Sequence, residues 1–393
     1  MRKIILVSGL ILLFAAEILR VYFIMPFPGS QQSDTIGIAY WLGNNITWIR
    51  LVLLALILYP VIYSLRHNTK WKTVLLLLVL ALYATVFYFV NFRFEADKMF
   101  LQPVTKTFFT RTDNKVDSTK LVIGVQIGGE AKAYPVEIIG YHHQVRDSIG
   151  NTAVMVTYCT VCRTGRVYSP IVNGQPEVFR LVGMDHFNAM FEDSSTKSWW
   201  QQATGEAITG KLKGHRLPEI ASRQMSLASW IRLYPDTKVM QPDQAFLKKY
   251  EGLKGYDDGS IEGGLEHRDS SSWADKSWVI GVEYRKGKFR AYDWNRLVQE
   301  QIIQDSIPAT PVLLVLENDH RSFHVFSPVV NGQRLVFAMD PDKRMMTDRQ
   351  TGSSWTIDGR AVFGVLNGHQ LDMLPAYQEF WHSWKQFHPD TEK

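Results

Sequence analysis

Apolar residues crowd the first quarter of the chain. Thr73 to Asn91 runs for 19 residues without a charge, close to the roughly 20 residues a helix needs to cross a bilayer. Two further apolar stretches precede it: Ile4 to about Met25, interrupted by Glu17 and Arg20, and Trp48 to about Leu65, with Pro60 near its far end. Glu17 and Arg20 stand three apart and are expected to pair on one helix face, which lowers the cost of carrying charge into a bilayer. Pro60 needs only a local kink. A cleaved signal peptide is the rival reading of the first stretch, because Arg2 and Lys3 precede it. The length of the run and the two stretches that follow favour three spans. Arg2 and Lys3 flank the first span, and Arg66, Lys70 and Lys72 lie between the second and third, so the positive-inside rule places the N-terminus and that loop in the cytoplasm. The expectation is a multi-pass protein of the cytoplasmic (inner) membrane: a lipid-contacting anchor over residues 1–94, and everything after about Phe94 extracytoplasmic.

From Leu121 the pattern changes to short β-type runs broken by Gly, Asn and Pro. Val122 to Tyr134 reads as a hairpin around Gly128-Gly129, Ala153 to Tyr158 as a buried strand, and Arg166 to Leu181 as a second hairpin turning at Asn173-Gly174. Ser226 to Tyr234 starts with an N-cap and stops before Pro235, so it reads as a short helix, as does Glu379 to Phe387. Glu251 to Ser272, rich in Gly, Asp and Ser, reads as a linker.

The same motifs occur twice, in the same order. SPIVNGQ (Ser169 to Gln175) recurs as SPVVNGQ (Ser327 to Gln333), and TGEAITGKLKGHRL (Thr204 to Leu217) as DGRAVFGVLNGHQL (Asp358 to Leu371). WIRLYPDT (Trp230 to Thr237) recurs as WKQFHPDT (Trp384 to Thr391), and VIGV appears at Val122 and Val279. A register kept over so many anchors implies duplication. The fold class expected is therefore α+β and β-rich, with two tandem repeats of one unit after the three-helix anchor: a first repeat over 95–250, then linker and second repeat over 251–393.

Composition narrows the function. With 46% hydrophobic and 21% charged residues, a disordered chain is excluded, and a net charge of +5 without a long Lys/Arg block makes nucleic acid a poor partner. The only cysteines are Cys159 and Cys162, in Thr157-Tyr158-Cys159-Thr160-Val161-Cys162-Arg163. Three readings stay open for this Cys-x-x-Cys pair. The first is a thiol exchange device, in which one sulfur attacks and the other resolves, with Arg163 and Arg166 favouring the thiolate. Its substrate would be a thiol, a disulfide or an oxidant such as a peroxide; Cys159 is expected to attack, Cys162 to resolve and His142 to shuttle the proton. The second is a metal site in which Cys159, Cys162 and His142 hold zinc or copper, although no cofactor is expected in the first reading. The third is an inert disulfide, a weak staple because its loop is so short. His142 and Asp147 directly precede the cysteine strand, and a hairpin-like return could bring both near it. His143, His186 and His215 are weaker candidates, and His215 has a counterpart, His369, in the half without cysteines. A non-catalytic module that binds a cell-envelope polymer is the alternative from another class.

Aligning the halves through Ser-Pro puts Glu317 opposite Cys159 and His320 opposite Cys162. The Gly, Trp and Pro anchors survive in both halves and the thiols do not. Residues special to the first half are therefore the site candidates, with Glu317 and His320 as a weaker second pair.

The order Lys132-Ala-Tyr-Pro135, His142 with Asp147, Thr157-Tyr-Cys-x-x-Cys162, Thr196-x-Ser-x-Trp200, Thr204-Gly-Glu-Ala207 and Trp230 to Thr237 resembles DUF3179, a bacterial family whose domain is of unknown function. The resemblance covers roughly Leu121 to Val239. Some members carry selenocysteine within the Cys-x-x-Cys motif, and this implies redox chemistry at Cys159 and Cys162. This chain has Thr160-Val161 where the family usually has Pro-Leu. His143 and Arg166 stand where Glu and a small or apolar residue are commoner.

Overall fold

The computed structural model describes residues 1–307, 310–340 and 345–393. The chain forms two compact units. One comprises Met1–Leu101, Glu177–Gln201 and Gly205–Arg216; the other comprises Gln102–Pro176, Gln202–Thr204 and Leu217–Lys393.

In the first unit the apolar stretches form three helices, α1 (Arg2–Tyr22), α2 (Ile36–His67) and α3 (Lys70–Phe92), each long and apolar enough to cross a membrane. Leu10 and Leu13 of α1, Ile57 of α2 and Leu76 of α3 form their common core. Gly9 lets α1 and α2 close up, since a Cβ there would lie 2.2 Å from Ile57 Cγ2. The outward faces stay apolar, as Val7, Leu12, Leu51, Leu58, Leu78 and Leu82 are exposed, the surface a lipid solvent accepts. α2 runs on through Pro60. Arg2 lies over the Tyr63 ring, so the start of α1 stands beside the end of α2.

The expected Glu17–Arg20 pair does not form. Glu17 is fully buried and takes a bidentate bond from Arg50 Nε (2.6 Å) and Nη2 (2.7 Å), with Asn91 and Tyr83 completing its shell. Arg20 reaches Glu95 (2.9 Å) and Asn91 (2.8 Å) instead. A fork from a neighbouring helix matches both carboxylate oxygens at once, and this outweighs a contact along one helix face.

A four-stranded antiparallel sheet, Phe179–Asp185, Asn188–Asp193, Trp199–Gln201 and Ala207–Thr209 in that order, completes the unit. It rests on the helices: Val182, Met190 and Trp199 pack on Ala39, and Met184 N donates to Ile24 O (2.7 Å).

The second unit holds most of the β structure. Leu121–Ile127 pairs with Glu130–Pro135 across Gly128-Gly129, and on its other side with Arg223–Ser226, which leads into the helix Leu227–Leu233. Ser226 caps that helix through the Ser229 N–H. Trp278–Arg285 repeats the arrangement, pairing with Lys288–Asp293 and with Ala376–Phe380, which leads into the helix Trp381–Phe387. Next comes a short helix and an antiparallel set in each half. The helix Val136–His142 precedes Gln144–Ile149, Thr152–Cys159 and Thr164–Tyr168; the helix Trp294–Glu300 precedes Ile302–Asp305, Val312–Leu316 and Phe323–Ser327. The structure is thus α+β and β-rich, after an apolar helical region.

Two readings need correction. Arg166 to Leu181 is not one hairpin: only Ile171–Val172 and Gln175–Pro176 pair across Asn173-Gly174, while Thr164–Tyr168 joins the cysteine strand and Phe179–Asp185 joins another sheet. Glu251 to Ser272 is no loose linker either, for Tyr256 and Asp257 are buried in it.

The glycine in each VIGV has a steric cause. A Cβ at Gly124 would lie 2.3 Å from the Trp230 ring, and one at Gly281 would lie 2.2 Å from Trp384. The closing helix lays its tryptophan flat on the strand, and only glycine leaves room. Gly124→Ala should therefore destabilise the protein by about 1–3 kcal/mol through overpacking; thermal unfolding in detergent unchanged from wild type would show that Trp230 has room to move.

Candidate functional site

Cys159 ends its strand opposite Thr164, and Thr160, Val161, Cys162 and Arg163 make the turn between. Both cysteines are thiols, and both are fully buried. The Cys162 thiol hydrogen-bonds to Cys159 and to Ser383. Burial, and then the contact with Cys159, push its pKa well above the ordinary thiol value.

Four segments enclose the turn. The helix Val136–His142 comes within contact through Gly140, where a Cβ would lie 2.9 Å from Thr160 Cγ2. Its last residues run beside the cysteine strand, with Tyr158 N donating to His143 O (3.0 Å). From the 251–272 stretch, Tyr256 Oη donates to Thr160 O (2.9 Å) and Thr160 Oγ1 donates to Glu266 (3.4 Å). Lys276 Nζ donates to Val161 O (2.7 Å) and Leu265 O (2.5 Å). Burial lowers the Lys276 pKa, and the charges of Cys162 and Cys159 pull it back up, so this ammonium acts on both sulfurs. Finally, Phe380 N donates to Cys162 O (3.0 Å), and Ser383 Oγ lies 3.3 Å from Thr164 Oγ1.

Of the residues singled out in the sequence, the structure buries His142 at the end of the helix that packs on the turn and places three others elsewhere. His142 is fully buried, but its Nε2 lies 2.7 Å from Tyr250 Oη and its ring packs edge-on to Phe246. Arg163 and Arg166 make their hydrogen bonds and ion pairs with other groups. Arg163 donates to Gln378 and to the carbonyls of Tyr256 and Asp257, while Arg166 pairs with Glu379 at 2.6 Å. Asp147 faces Val154, five residues from Cys159, or roughly 17 Å along a strand. It binds Lys132 Nζ (2.7 Å) and Tyr134 Oη (2.8 Å). Asp305 plays the same part in the other half, with Arg290 and Tyr292 each at 3.0 Å. Asp147 is therefore scaffold, because the half without cysteines keeps it.

Other paired residues behave alike in both halves. His215 and His369 each bond, through Nδ1, the carbonyl three residues back at 3.0 Å. Asp193 accepts from Trp200 Nε1 and Asp348 from Trp355 Nε1, each at 2.9 Å. His143, where the family favours Glu, is held near a pKa of about 4 by burial, so it is a neutral core residue. His186 pairs with Asp185 in the first unit.

Where the first half has thiols, the second has an ion cluster. Glu317 accepts from Ser229 Oγ (2.8 Å), lies 2.8 Å from His324 Nε2 and 2.5 Å from Arg232 Nη2. Those partners hold its carboxyl near a pKa of about 2 against the opposing effect of burial. His320 is not part of that set. Among the described residues, no group of three or more His, Cys, Asp and Glu side chains is arranged to hold a metal ion.

Sequence reasoning missed Lys276, Ser383, Tyr256 and Glu266. The buried aromatic at 256 was the one local signal, since a Gly/Asp/Ser-rich linker has little use for it. Ser383 has a structural echo: Ser229 and Ser383 hold matching places in the two closing helices, and each reaches the turn of the other half, at Glu317 and at Cys162.

No curated protein and no solved structure matches the chain. One family model does, described as Protein of unknown function (DUF3179), over residues 102–391. The matched stretch extends well past the 121–239 motifs and takes in the turn at Glu317 and the helix bearing Ser383. Over most of its length, with the thiol turn inside the matched region, the chain belongs to the DUF3179 family of proteins of unknown function.

Proposed function

We propose that this chain is a membrane-anchored, extracytoplasmic dithiol–disulfide oxidoreductase whose reacting groups are Cys159 and Cys162. The observation that carries the reading is the hydrogen bond between the two buried thiols, in a turn whose Val161 carbonyl is held by the Lys276 ammonium. The Lys276 ammonium acts on both sulfurs and favours a thiolate on the pair, and Cys159, at the end of its strand, is assigned the attack. In the forward direction the Cys159 thiolate attacks one sulfur of a substrate disulfide; that S–S bond breaks and one thiol leaves with a proton. Cys162 then gives up its proton and attacks Cys159 Sγ, the mixed disulfide breaks, and the second substrate thiol leaves. Two electrons pass from the dithiol to the substrate, which ends as two thiols. Because both sulfurs are buried, exchange requires one of the enclosing segments to move off the turn. A peroxide is the alternative acceptor.

The recurring order of pairings supports duplication of one unit, over 95–250 and 251–393, with only the first copy keeping thiols. The second copy's closing helix then completes the first copy's site. The charges at Arg2, Lys3, Arg66, Lys70 and Lys72 support a cytoplasmic N-terminus.

Two measurements test this reading. Equilibrating the purified full chain in glutathione buffers, then denaturing and alkylating, should show both cysteines becoming protected together in one two-electron transition. Thiols that alkylate fully at every ratio would rule the redox reading out. For location, protease added to right-side-out membrane vesicles should cut within 251–272; cleavage confined to inside-out vesicles would put the domain in the cytoplasm.

A further inference from the structure

Beside the thiol turn, at Arg163, is a cavity of about 260 Å³ whose walls also include Asp257, Arg268, Trp278, Arg321 and Gln378. Its polar groups are not balanced. Arg163 is 1% exposed and, among the described residues, has no carboxylate within ion-pair distance; its guanidinium meets only Gln378 Oε1 (3.0 Å) and the carbonyls of Tyr256 (3.1 Å) and Asp257 (3.0 Å). It lies 3.8 Å from the Trp278 ring centroid, and Arg268 lies 4.0 Å from the same ring. Among the described residues Arg268 has no carboxylate within ion-pair distance either; Asp293 acts on it through its charge alone, and its guanidinium binds Asn295 Oδ1 at 2.8 Å. Two guanidinium groups thus share one indole with no anion between them.

Three donors and one acceptor here are buried without a partner: Trp278 Nε1, Gln378 Nε2, Arg268 Nε and Asp257 Oδ1. Each such group costs about 1–3 kcal/mol, more when charged, unless something binds it. Trp278 and Gln378 are 5% and 2% exposed, so bulk water does not serve them. The other carboxylates bordering the cavity are engaged. Asp258 faces Arg321 at 3.6 Å, and Asp319 accepts from the N–H of Arg321 (2.9 Å), and from the N–H (2.8 Å) and hydroxyl (2.6 Å) of Ser322. Arg163 is moreover held at φ +56°, a left-handed conformation that costs a residue bearing a Cβ and that a glycine would relieve. The chain keeps an arginine there.

We propose that this cavity binds a small oxyanion, a phosphate or carboxylate group, through Arg163 and Arg268 with Trp278 and Gln378 as further donors. Guanidinium forks suit both anions, which present paired oxygens. Burial raises the Asp257 carboxyl to about 6, so a bound anion beside it needs only a small further rise to protonate it, and its unpartnered oxygen then donates as well. The site stands whether or not the thiols are redox-active, because no step of thiol exchange enters the argument.

Inorganic phosphate and succinate, titrated separately into the full chain in detergent by calorimetry, decide the matter, and the tighter of the two identifies the source of the oxyanion. Saturable binding is expected for at least one. Arg268→Gln should weaken it tenfold or more, and Trp278→Phe, which keeps the ring but removes the N–H, should weaken it several-fold. Both variants should unfold near the wild-type temperature. Absence of saturation by either anion up to about 10 mM, where binding is worth less than roughly 3 kcal/mol, would overturn the proposal. So would wild-type affinity in both variants.

Discussion

Arg166→Met should destabilise the protein by about 3–5 kcal/mol, the cost of leaving a buried carboxylate without its partner. Arg166 and Glu379 are 2% and 1% exposed and meet at 2.6 Å. Arg166 also lies 3.3 Å from the Tyr377 ring centroid and 3.5 Å from Glu219. Methionine keeps much of the volume and the contact with the ring but strands Glu379. In thermal unfolding the midpoint should fall by on the order of 10 °C. Arg166→Met combined with Glu379→Gln should recover most of the loss, because glutamine is neutral and still accepts the Ser383 Oγ bond seen at 2.9 Å. A single variant within about 1 kcal/mol of wild type would mean that the pair is not buried as described. The prediction reaches the thiol site as well, since Glu379 orients Ser383 and Ser383 bonds Cys162.

Features set by local rules were legible in the sequence. The Gly128-Gly129 turn, the Ser226 cap and the uncharged run at Thr73 to Asn91 each depend on a few adjacent residues, and each is where the pattern put it. The thiol turn was legible from its spacing, but its surroundings were not. Ser383, Gln378 and Glu379 lie more than 200 residues further along the chain, and no local pattern announces a helix that crosses to the other half's turn. Asp147 misled because nearness in sequence was taken for nearness in space; a strand carries a residue away at about 3.4 Å per step. The pairing of Asp305 with Tyr292 held the correction in advance, since a residue serving both halves alike serves the scaffold. Arg163 and Arg166 misled in a similar way. Their charges adjoin the cysteines in sequence, but the left-handed turn at Arg163 and the strand that follows direct both side chains to the second half. Lys276, from a stretch rich in Ser and Asp, supplies the cation instead.

The central claim is that Cys159 and Cys162 exchange thiols in a fixed order, and removing one sulfur at a time tests it. A thiol that attacks forms a mixed disulfide, and its neighbour releases it. Cys159 stands at the end of its strand and shares a hydrogen bond with Cys162, and it is the sulfur proposed to attack. Cys162→Ser keeps a hydrogen-bond donor beside Cys159 but cannot resolve the adduct; Cys159→Ser removes the nucleophile. Both substitutions are small, and neither should unfold a protein in which the pair closes no long loop. The measurement is the intact mass of each variant purified under non-reducing conditions, before and after reductant. The account predicts covalent adducts on Cys162→Ser that reductant removes, and none on Cys159→Ser; adducts on neither variant, with both melting alike, would contradict it.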